Sequence, residues 1–318
     1  MREPAFWRTD GALARLLAPL GRLYAWETAR RLRRPGWRAP VPVICIGNAS
    51  AGGTGKTTVV LDIAARLLAR HHSPALLTRG YGGSAGQRRI DLAHDTARTA
   101  GDEPMLLAAV APTFAGADRG LTARMAVDWG ADCLVMDDGL QNPSLEKDLS
   151  LLVIDGAAGI GNGRVIPAGP LREPLAAAAA RCQAAVLIGA DDHGVAGMLG
   201  IPVLRAHLES PPDLAGQRVF AFAGIGRPEK FFATLRAAGA EVAGTRGFAD
   251  HHGFSEREFA AVLAEAARLD AAPITTPKDA ARLTPAQRAH VLVAPVLLVW
   301  DDPAALELVL DSVLKAAR

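Results

Sequence analysis

The sequence is poor in cysteine, in aromatic residues and in net charge. It contains three cysteines, Cys45, Cys133 and Cys182, and their wide spacing excludes a paired cysteine motif for a disulfide or a metal. We therefore predict reduced core cysteines and a cytosolic compartment. A net charge of +2 excludes nucleic-acid binding driven by bulk charge. No apolar run approaches the ~18 residues that a spanning helix requires, so neither a transmembrane span nor a signal peptide is predicted.

Half of the residues are hydrophobic, and they alternate between short apolar runs and alanine-rich segments of helical periodicity. Apolar runs followed by helices predict a parallel sheet with helices on both faces. In the first series the predicted strands are 43–46, 75–78, 133–136, 151–154, 185–188 and 203–205. The fold class is predicted to be α/β, with a mostly parallel sheet of the phosphate-loop NTPase type.

The alternation lapses near Glu209 and then starts again, which indicates a second domain. Its predicted strands are 219–223, 241–245, 273–276 and 291–300, and its last helix is 303–316. The predicted division is a basic arm at 1–40, a nucleotide-binding domain at 41–208, a linker at 209–216 and a smaller α/β domain at 217–318.

Positive charge is concentrated in the first forty residues, where nine arginines face three acidic residues for a net charge of +6, so the remainder carries −4. We predict two short helices here, the second beginning at Pro19. Basic residues with leucine, tyrosine and tryptophan at helical spacing fit an amphipathic arm on an anionic membrane surface. Helices docked on the protein body with solvated arginines fit the pattern equally well.

The strongest motif is a phosphate-binding loop that lies between a predicted strand and a predicted helix. Its glycines allow backbone N–H groups to face an anion at the helix N-terminus. Lys56 is expected to reach the β- and γ-phosphates, and the Thr57 hydroxyl to bind Mg²⁺. Ser50 stands where the consensus has glycine. The predicted nucleotide-binding residues are Ser50, Ala51, Gly52, Gly53, Thr54, Gly55, Lys56 and Thr57.

A second acidic anchor for the metal is expected at the end of a neighbouring strand, and Asp137 and Asp138 follow such an apolar run. One of these two carboxylates should hold Mg²⁺ or its water. The string 276–279, Thr-Pro-Lys-Asp, has the wrong spacing for guanine recognition, so ATP is favoured over GTP.

These motifs together resemble the tetraacyldisaccharide 4′-kinase family, also called lipid A 4′-kinases. The resemblance spans nearly the whole chain and rests on the order and spacing of many short segments. They are 47–48, 78–83, 101–104, 118–119, 137–141, 161–164, 167–174, 223–228, 248–252 and 275–280. Thr58, Asn142 and Pro277 depart from the usual family residues, which puts only their local roles in doubt.

The resemblance implies transfer of the ATP γ-phosphoryl group to the 4′-hydroxyl of a tetraacylated glucosamine disaccharide 1-phosphate, a step of lipopolysaccharide biosynthesis. It implies a peripheral enzyme at the cytoplasmic face of the bacterial inner membrane. Asp102 would be the catalytic base and His251 its support, although Asp102 considered alone could be an ordinary helix cap. Glu173 is a further candidate near the metal.

Several residues within the family motifs are candidate contacts to the phosphate or sugar of the acceptor. Most are arginines, whose guanidinium groups offer paired donors. The candidates are Arg79, Tyr81, Arg119, Asn162, Arg164 and Arg172.

Two other classes of protein fit the phosphate loop. A kinase of a soluble metabolite would need no basic amphipathic arm. A nucleotide-switched assembly or chaperone ATPase would phosphorylate no acceptor. The sequence indicates no obligate protein partner.

Overall fold

A computed structural model describes residues 4–80, 86–209, 214–294 and 296–314 of the chain. Two sheets, each covered by helices, form the framework of the fold. The predicted α/β fold with a mostly parallel sheet is therefore confirmed. Tyr81 lies outside the described residues, as do residues 210–213 of the predicted linker.

The strands, in chain order, are β1 (Val43–Gly47), β2 (Pro74–Thr78), β3 (Arg88–Arg89), β4 (Thr113–Ala115), β5 (Cys133–Asp137), β6 (Leu149–Asp155), β7 (Ala184–Ile188), β8 (Val203–Glu209), β9 (Arg218–Ala223), β10 (Glu241–Gly247), β11 (Ala272–Thr275), β12 (Leu292–Val293) and β13 (Leu297–Trp300). The α-helices are α1 (Ala12–Leu32), α2 (Lys56–Ala69), α3 (Ala97–Ala100), α4 (Asp102–Ala108), α5 (Arg119–Asp128), α6 (Leu175–Ala179), α7 (Pro228–Ala237), α8 (Glu256–Arg268), α9 (Pro277–Ala280), α10 (Pro285–Arg288) and α11 (Pro303–Leu314). Short 3-10 helices occupy Ala5–Arg8 and Val195–Met198.

The large sheet has the order β13-β8-β7-β6-β1-β5-β2-β4-β3, in which only the two edge strands run antiparallel to their neighbours. Helices α2 and α11 cover one face, and α5 and α6 cover the other. Strands β1, β5 and β6 are buried along their whole length, as expected for parallel strands covered on both sides. The carboxyl ends of parallel strands meet at one edge, where α/β proteins bind their ligands.

The small sheet has the order β10-β9-β11-β12 and is parallel throughout. Phe231, Phe232 and Leu235 of α7 pack on one face, and Phe259 and Val262 of α8 pack on the other. The second series of strands and helices in the sequence therefore builds its own core.

The end of the chain departs from the predicted division, because β13 and α11 belong to the large sheet and not to the second domain. The run 291–300, predicted as one strand, is divided between β12 of the small sheet and β13 of the large one. Hydrogen bonds hold the returning segment to α2: Trp300 Nε1 donates to Asp62 Oδ2 at 2.8 Å, and Arg66 donates to Glu307 at 2.9 Å. The second domain is thus an insertion between β8 and β13.

The arm also differs from its prediction, because one helix of 21 residues, α1, runs through Pro19 where two helices were expected. A proline inside a helix costs about 3 kcal/mol. Packing offsets this cost, since Ala14, Gly21 and Thr28 are buried on one face of α1. A Cβ added at Gly21 would lie 2.7 Å from the Val165 carbonyl oxygen, so the helix approaches the protein body closely. Among the described residues, no helix combines the length and apolarity needed to cross a membrane.

Candidate active site

The phosphate loop follows the buried strand β1 and leads into the fourteen-residue helix α2. Gly55, the residue before α2, has a φ of 85°, which favours glycine. A Cβ at this position would lie 2.8 Å from Ile188 Cδ1 at the end of β7, so the loop rests closely against the sheet. The loop presents the N-terminus of a long helix, which is a suitable site for phosphate.

Asp137 and Thr57, two of the predicted metal ligands, lie within hydrogen-bond distance of each other. Asp137 ends β5, which pairs with β1, and its Oδ2 accepts a hydrogen bond from Thr57 Oγ1 at 3.3 Å. Its Oδ1 is buried and has no hydrogen-bond partner among the described residues. Burial, with the nearby Glu103 charge, raises the pKa of Asp137 to about 7. A carboxylate and a hydroxyl are ligands that Mg²⁺ accepts, and a cation would neutralise the unpaired oxygen, so these residues fit the metal.

Asp138 has a different environment from its neighbour. Its carboxylate accepts two hydrogen bonds from Arg172 NH1 at 2.8 and 2.9 Å, and Lys56 Nζ lies 3.8 Å from Oδ1. Burial alone would raise the pKa of Asp138, but Lys56 and Arg172 outweigh it and hold the pKa below its ordinary value. The structure therefore separates the two candidates: Asp137 faces Thr57, whereas Asp138 orients the two cations beside the loop.

Glu173 was predicted to lie near the metal, and the structure gives it other partners. Its two oxygens accept hydrogen bonds from Arg181 at 2.7 Å each, and Gln141 Nε2 donates to Oε1 at 2.9 Å. Gln141 also donates to the carbonyl oxygen of Asn48. Arg181 thus balances the charge of the buried Glu173 carboxylate. Through Gln141, Glu173 is also linked to Asn48, which directly follows β1 and precedes the phosphate loop.

Asp102 and His251 meet across the two domains, 149 residues apart in the chain. Asp102 is the first residue of α4, and His251 Nδ1 lies 3.1 Å from its Oδ2. Asp102 is not the cap of this helix; that position belongs to Gly101, with a φ of 93°. Among the described residues, the one hydrogen-bond donor to Asp102 Oδ1 is the adjacent backbone N–H of Glu103, at 3.0 Å. The geometry therefore brings together the two residues that the family resemblance assigns to proton handling.

Sequence reasoning missed Arg282 of the second domain, which forms an ion pair with Asp102. Its Nε donates to Asp102 Oδ2 at 3.0 Å, its NH2 contacts the same oxygen, and its NH1 donates to Asp279 Oδ1 and the Gly224 carbonyl oxygen at 2.8 Å each. The side chain is 6% exposed. Nothing in the local pattern marked this arginine, although it lies just beyond the recognised 275–280 segment.

Lys278, within that same segment, is the second positive charge beside Asp102. Its Nζ lies 3.0 Å from Glu103 Oε1 and 4.0 Å from Asp102 Oδ2. Burial acts to raise the pKa of Asp102, but the His251 hydrogen bond and the charges of Lys278 and Arg282 prevail and hold the pKa well below its ordinary value. Asp102 is therefore ionised at neutral pH.

The predicted contacts to the acceptor are dispersed. Arg79 is exposed directly after β2. Arg119 is 2% exposed, donates to the Gly116 carbonyl oxygen, and burial lowers its pKa to about 10. Asn162 Nδ2 donates to the Phe6, Thr9 and Ala168 carbonyl oxygens, and Arg164 pairs with Asp10 at 2.6 Å. Asn162 and Arg164 thus hold the N-terminal segment against the large domain.

Comparison with known proteins identifies relatives along almost the full chain. A family model described as tetraacyldisaccharide-1-P 4′-kinase matches residues 13–315. The tetraacyldisaccharide 4′-kinase of Gluconacetobacter diazotrophicus is 54% identical, with 100% of this chain and 99% of the relative covered. The enzyme of the same name from Rhodospirillum centenum is 51% identical, with 99% and 97% covered. The crystal structure of "apo" form LpxK from Aquifex aeolicus in complex with ATP is 25% identical, has a TM-score of 0.74, and covers 95% of this chain and 99% of its own.

Proposed function

Because this chain belongs to the tetraacyldisaccharide 4′-kinase family, we propose that its two domains transfer the γ-phosphoryl group of ATP to the 4′-hydroxyl of a tetraacylated glucosamine disaccharide 1-phosphate in lipid A biosynthesis. One observation carries the assignment of its residues. The phosphate loop and the Asp102–His251 pair lie in the same region, since α4, which begins at Asp102, packs against α2, which begins at Lys56 of the loop. A donor site and a proton acceptor are thus close together.

Mg²⁺ is the cofactor that this site fits, and Thr57 and Asp137 are the residues that would hold it. The metal would neutralise charge on the β- and γ-phosphates, as in other phosphoryl transferases. Lys56 supplies a further positive charge to the transferring group, while Asp138, itself hydrogen-bonded by Arg172, lies 3.8 Å from its ammonium. These residues act by positioning and electrostatics, which dominate phosphoryl transfer.

Asp102 accepts the proton of the acceptor hydroxyl as the oxygen attacks phosphorus and ADP departs. Its lowered pKa keeps the carboxylate ionised and able to accept a hydrogen bond from the hydroxyl, and in a loose transition state its main contribution is to position that hydroxyl. His251 and Arg282 orient the carboxylate through Oδ2, which leaves Oδ1 the less occupied oxygen. We therefore assign the hydroxyl to the Oδ1 side.

A direct assay tests this function. Purified protein is incubated with labelled ATP, Mg²⁺ and the tetraacyldisaccharide 1-phosphate in detergent, and lipids are separated by chromatography. We expect label in a bisphosphorylated lipid. Labelled phosphate without labelled lipid would instead indicate an ATPase, and phosphorylation restricted to soluble sugars would indicate a metabolite kinase.

The arm is proposed to bring the enzyme to an acylated, anionic substrate at the cytoplasmic face of the inner membrane. Four leucines at spacings of three and four residues share one side of α1, away from its buried face. Their exposed fractions are 49% for Leu13, 74% for Leu16, 55% for Leu20 and 61% for Leu23. Arginines flank this leucine face, so apolar burial and attraction to anionic lipid both favour membrane contact.

Replacing Leu16 and Leu23 with glutamate tests the leucine face. We expect the variant to remain in the supernatant when anionic vesicles are sedimented, and to lose activity on vesicle-embedded substrate. Both losses follow because apolar burial is lost and the anionic surface repels the added charges. Activity in detergent should stay near the wild-type value. Leu308→Glu is the matched control, since Leu308 is 72% exposed on α11. Equal sedimentation of all three proteins would show that α1 is only a docked structural element.

A further inference from the structure

A second contact between the domains involves Asp155, the last residue of β6, which has no role in the reaction as described so far. Its carboxylate is 4% exposed, and its Oδ2 lies 3.3 Å from Arg227 NH1 and 3.2 Å from Lys230 Nζ. Its Oδ1 accepts the backbone N–H of Ala157 at 3.2 Å. Arg227 and Lys230 both belong to the second domain, at the start of α7.

This contact lies beside the phosphate loop. Asp155 pairs in register with Ile188 on the neighbouring strand β7. Ile188 supports the loop, since a Cβ added at Gly55 would lie only 2.8 Å from Ile188 Cδ1. The carboxylate of Asp155 and the side chain that supports the loop therefore lie on adjacent, directly paired strands.

The Asp102 contact lies on the opposite side of the loop. In the sheet order, β6 flanks β1 on one side, whereas β5, β2 and β4 follow on the other. Helix α4, which begins at Asp102, packs on β2 and β4. The second domain thus rests on the large domain at two places, with the phosphate loop between them.

The two contacts are electrostatically alike. In each, a nearly buried carboxylate of the large domain faces basic side chains of the second domain: Arg282, His251 and Lys278 at Asp102, and Arg227 and Lys230 at Asp155. A nearly buried carboxylate that lost these partners would keep a desolvated charge with one backbone partner, so separation of the domains at either contact is costly.

We propose that Asp155, Arg227 and Lys230 form a positioning contact that holds the second domain over the phosphate loop, so that His251 and Arg282 reach Asp102. The inference depends on the proposed function only through the turnover assay. We assign to none of the three residues a contact with the reacting atoms. Their effect on the rate passes through the fraction of molecules in which the domains are correctly docked.

Asp155→Asn and the double variant Arg227→Gln/Lys230→Gln test the positioning contact from its two sides. We expect each to lower kcat/KM for ATP roughly tenfold, as for one desolvated ion pair. The triple variant, which combines these substitutions, should be no worse than Asp155→Asn, since each variant disrupts the same contact. Affinity for a nonhydrolysable ATP analogue, measured by calorimetry without acceptor, should fall in parallel, while the thermal midpoint of unfolding stays close to that of the wild type.

Arg236→Gln is the matched control, because Arg236 is an exposed cation of the same helix. Three results would overturn the positioning contact. One is kinetics and analogue affinity unchanged in Asp155→Asn. Another is a loss confined to the Arg227/Lys230 variant, which would mean that these cations bind the nucleotide themselves. The third is a rate loss that is fully explained by a lower thermal midpoint of unfolding. If wild-type protein forms no lipid product, the proposed function fails, and the analogue affinities still decide the contact.

Discussion

Replacing Lys56 with alanine should lower the turnover number by about a thousandfold or more. Its ammonium lies at the start of α2 and is held 3.8 Å from Asp138, in a site shielded from water. A positive charge preorganised toward the transferring phosphoryl group contributes several kcal/mol of transition-state stabilisation, and about 1.4 kcal/mol corresponds to a factor of ten in rate. Initial rates of lipid phosphorylation at saturating ATP measure the loss.

Thr57→Ala should show a similar loss, because its hydroxyl donates a hydrogen bond to Asp137 and we propose that these two residues hold Mg²⁺. Raised Mg²⁺ should recover part of the activity of Thr57→Ala and none of that of Lys56→Ala. Thr58→Ala is the matched control, since it removes the next hydroxyl along α2 and should keep the wild-type rate. Near-normal turnover of Lys56→Ala or Thr57→Ala, with folding intact by circular dichroism, would refute the kinase site.

The phosphate loop was predictable because its parts are local in sequence. A strand, a glycine-rich turn and a helix that starts with lysine and threonine determine their own geometry, and the structure places Lys56 and Thr57 at the start of α2. The choice between Asp137 and Asp138 was not local. It depends on Arg172 and Lys56, which reach Asp138 from separate parts of the chain.

Long-range contacts account for the other differences. Asn162 and Arg164 remain predicted contacts to the acceptor, and both also pair with residues of the N-terminal segment, a pairing that no periodicity reveals. The apolar run 291–300 is continuous except for Pro295, so the pattern could not show that its two ends enter different sheets. Local rules place a helix start at Pro19, and packing of α1 on the protein body overrides those rules.

The Asp102–His251 pair depended on resemblance, since the two residues lie 149 positions apart. From the sequence alone, Asp102 could serve either as a catalytic base or as a helix cap. The structure separates these roles, because Gly101 occupies the cap position and Asp102 Oδ2 faces the second domain. The chain segment after the recognised 275–280 motif supplied Arg282, which a search confined to motifs could not find.

Asp102→Asn should reduce the turnover number by a factor of about 10² to 10⁴, which is the usual contribution of a positioned general base. Asparagine keeps the shape of the side chain and removes its capacity to accept the proton. Arg282 retains Asp279 and the Gly224 carbonyl oxygen as partners, so the fold should survive, as a thermal melt can verify. Affinity for ATP should change little, because Asp102 does not contact the phosphate loop.

His251→Ala should also lower the turnover number, and the two losses should not add. If His251 acts only by orienting Asp102, then adding His251→Ala to Asp102→Asn lowers the turnover number little further. The double variant should therefore resemble the worse single variant. His252→Gln is the matched control, since His252 pairs with Glu258 at 3.1 Å and not with Asp102. Additive losses would show that the two residues serve independent steps, and an unaffected His251→Ala would mean that Arg282 alone orients the base.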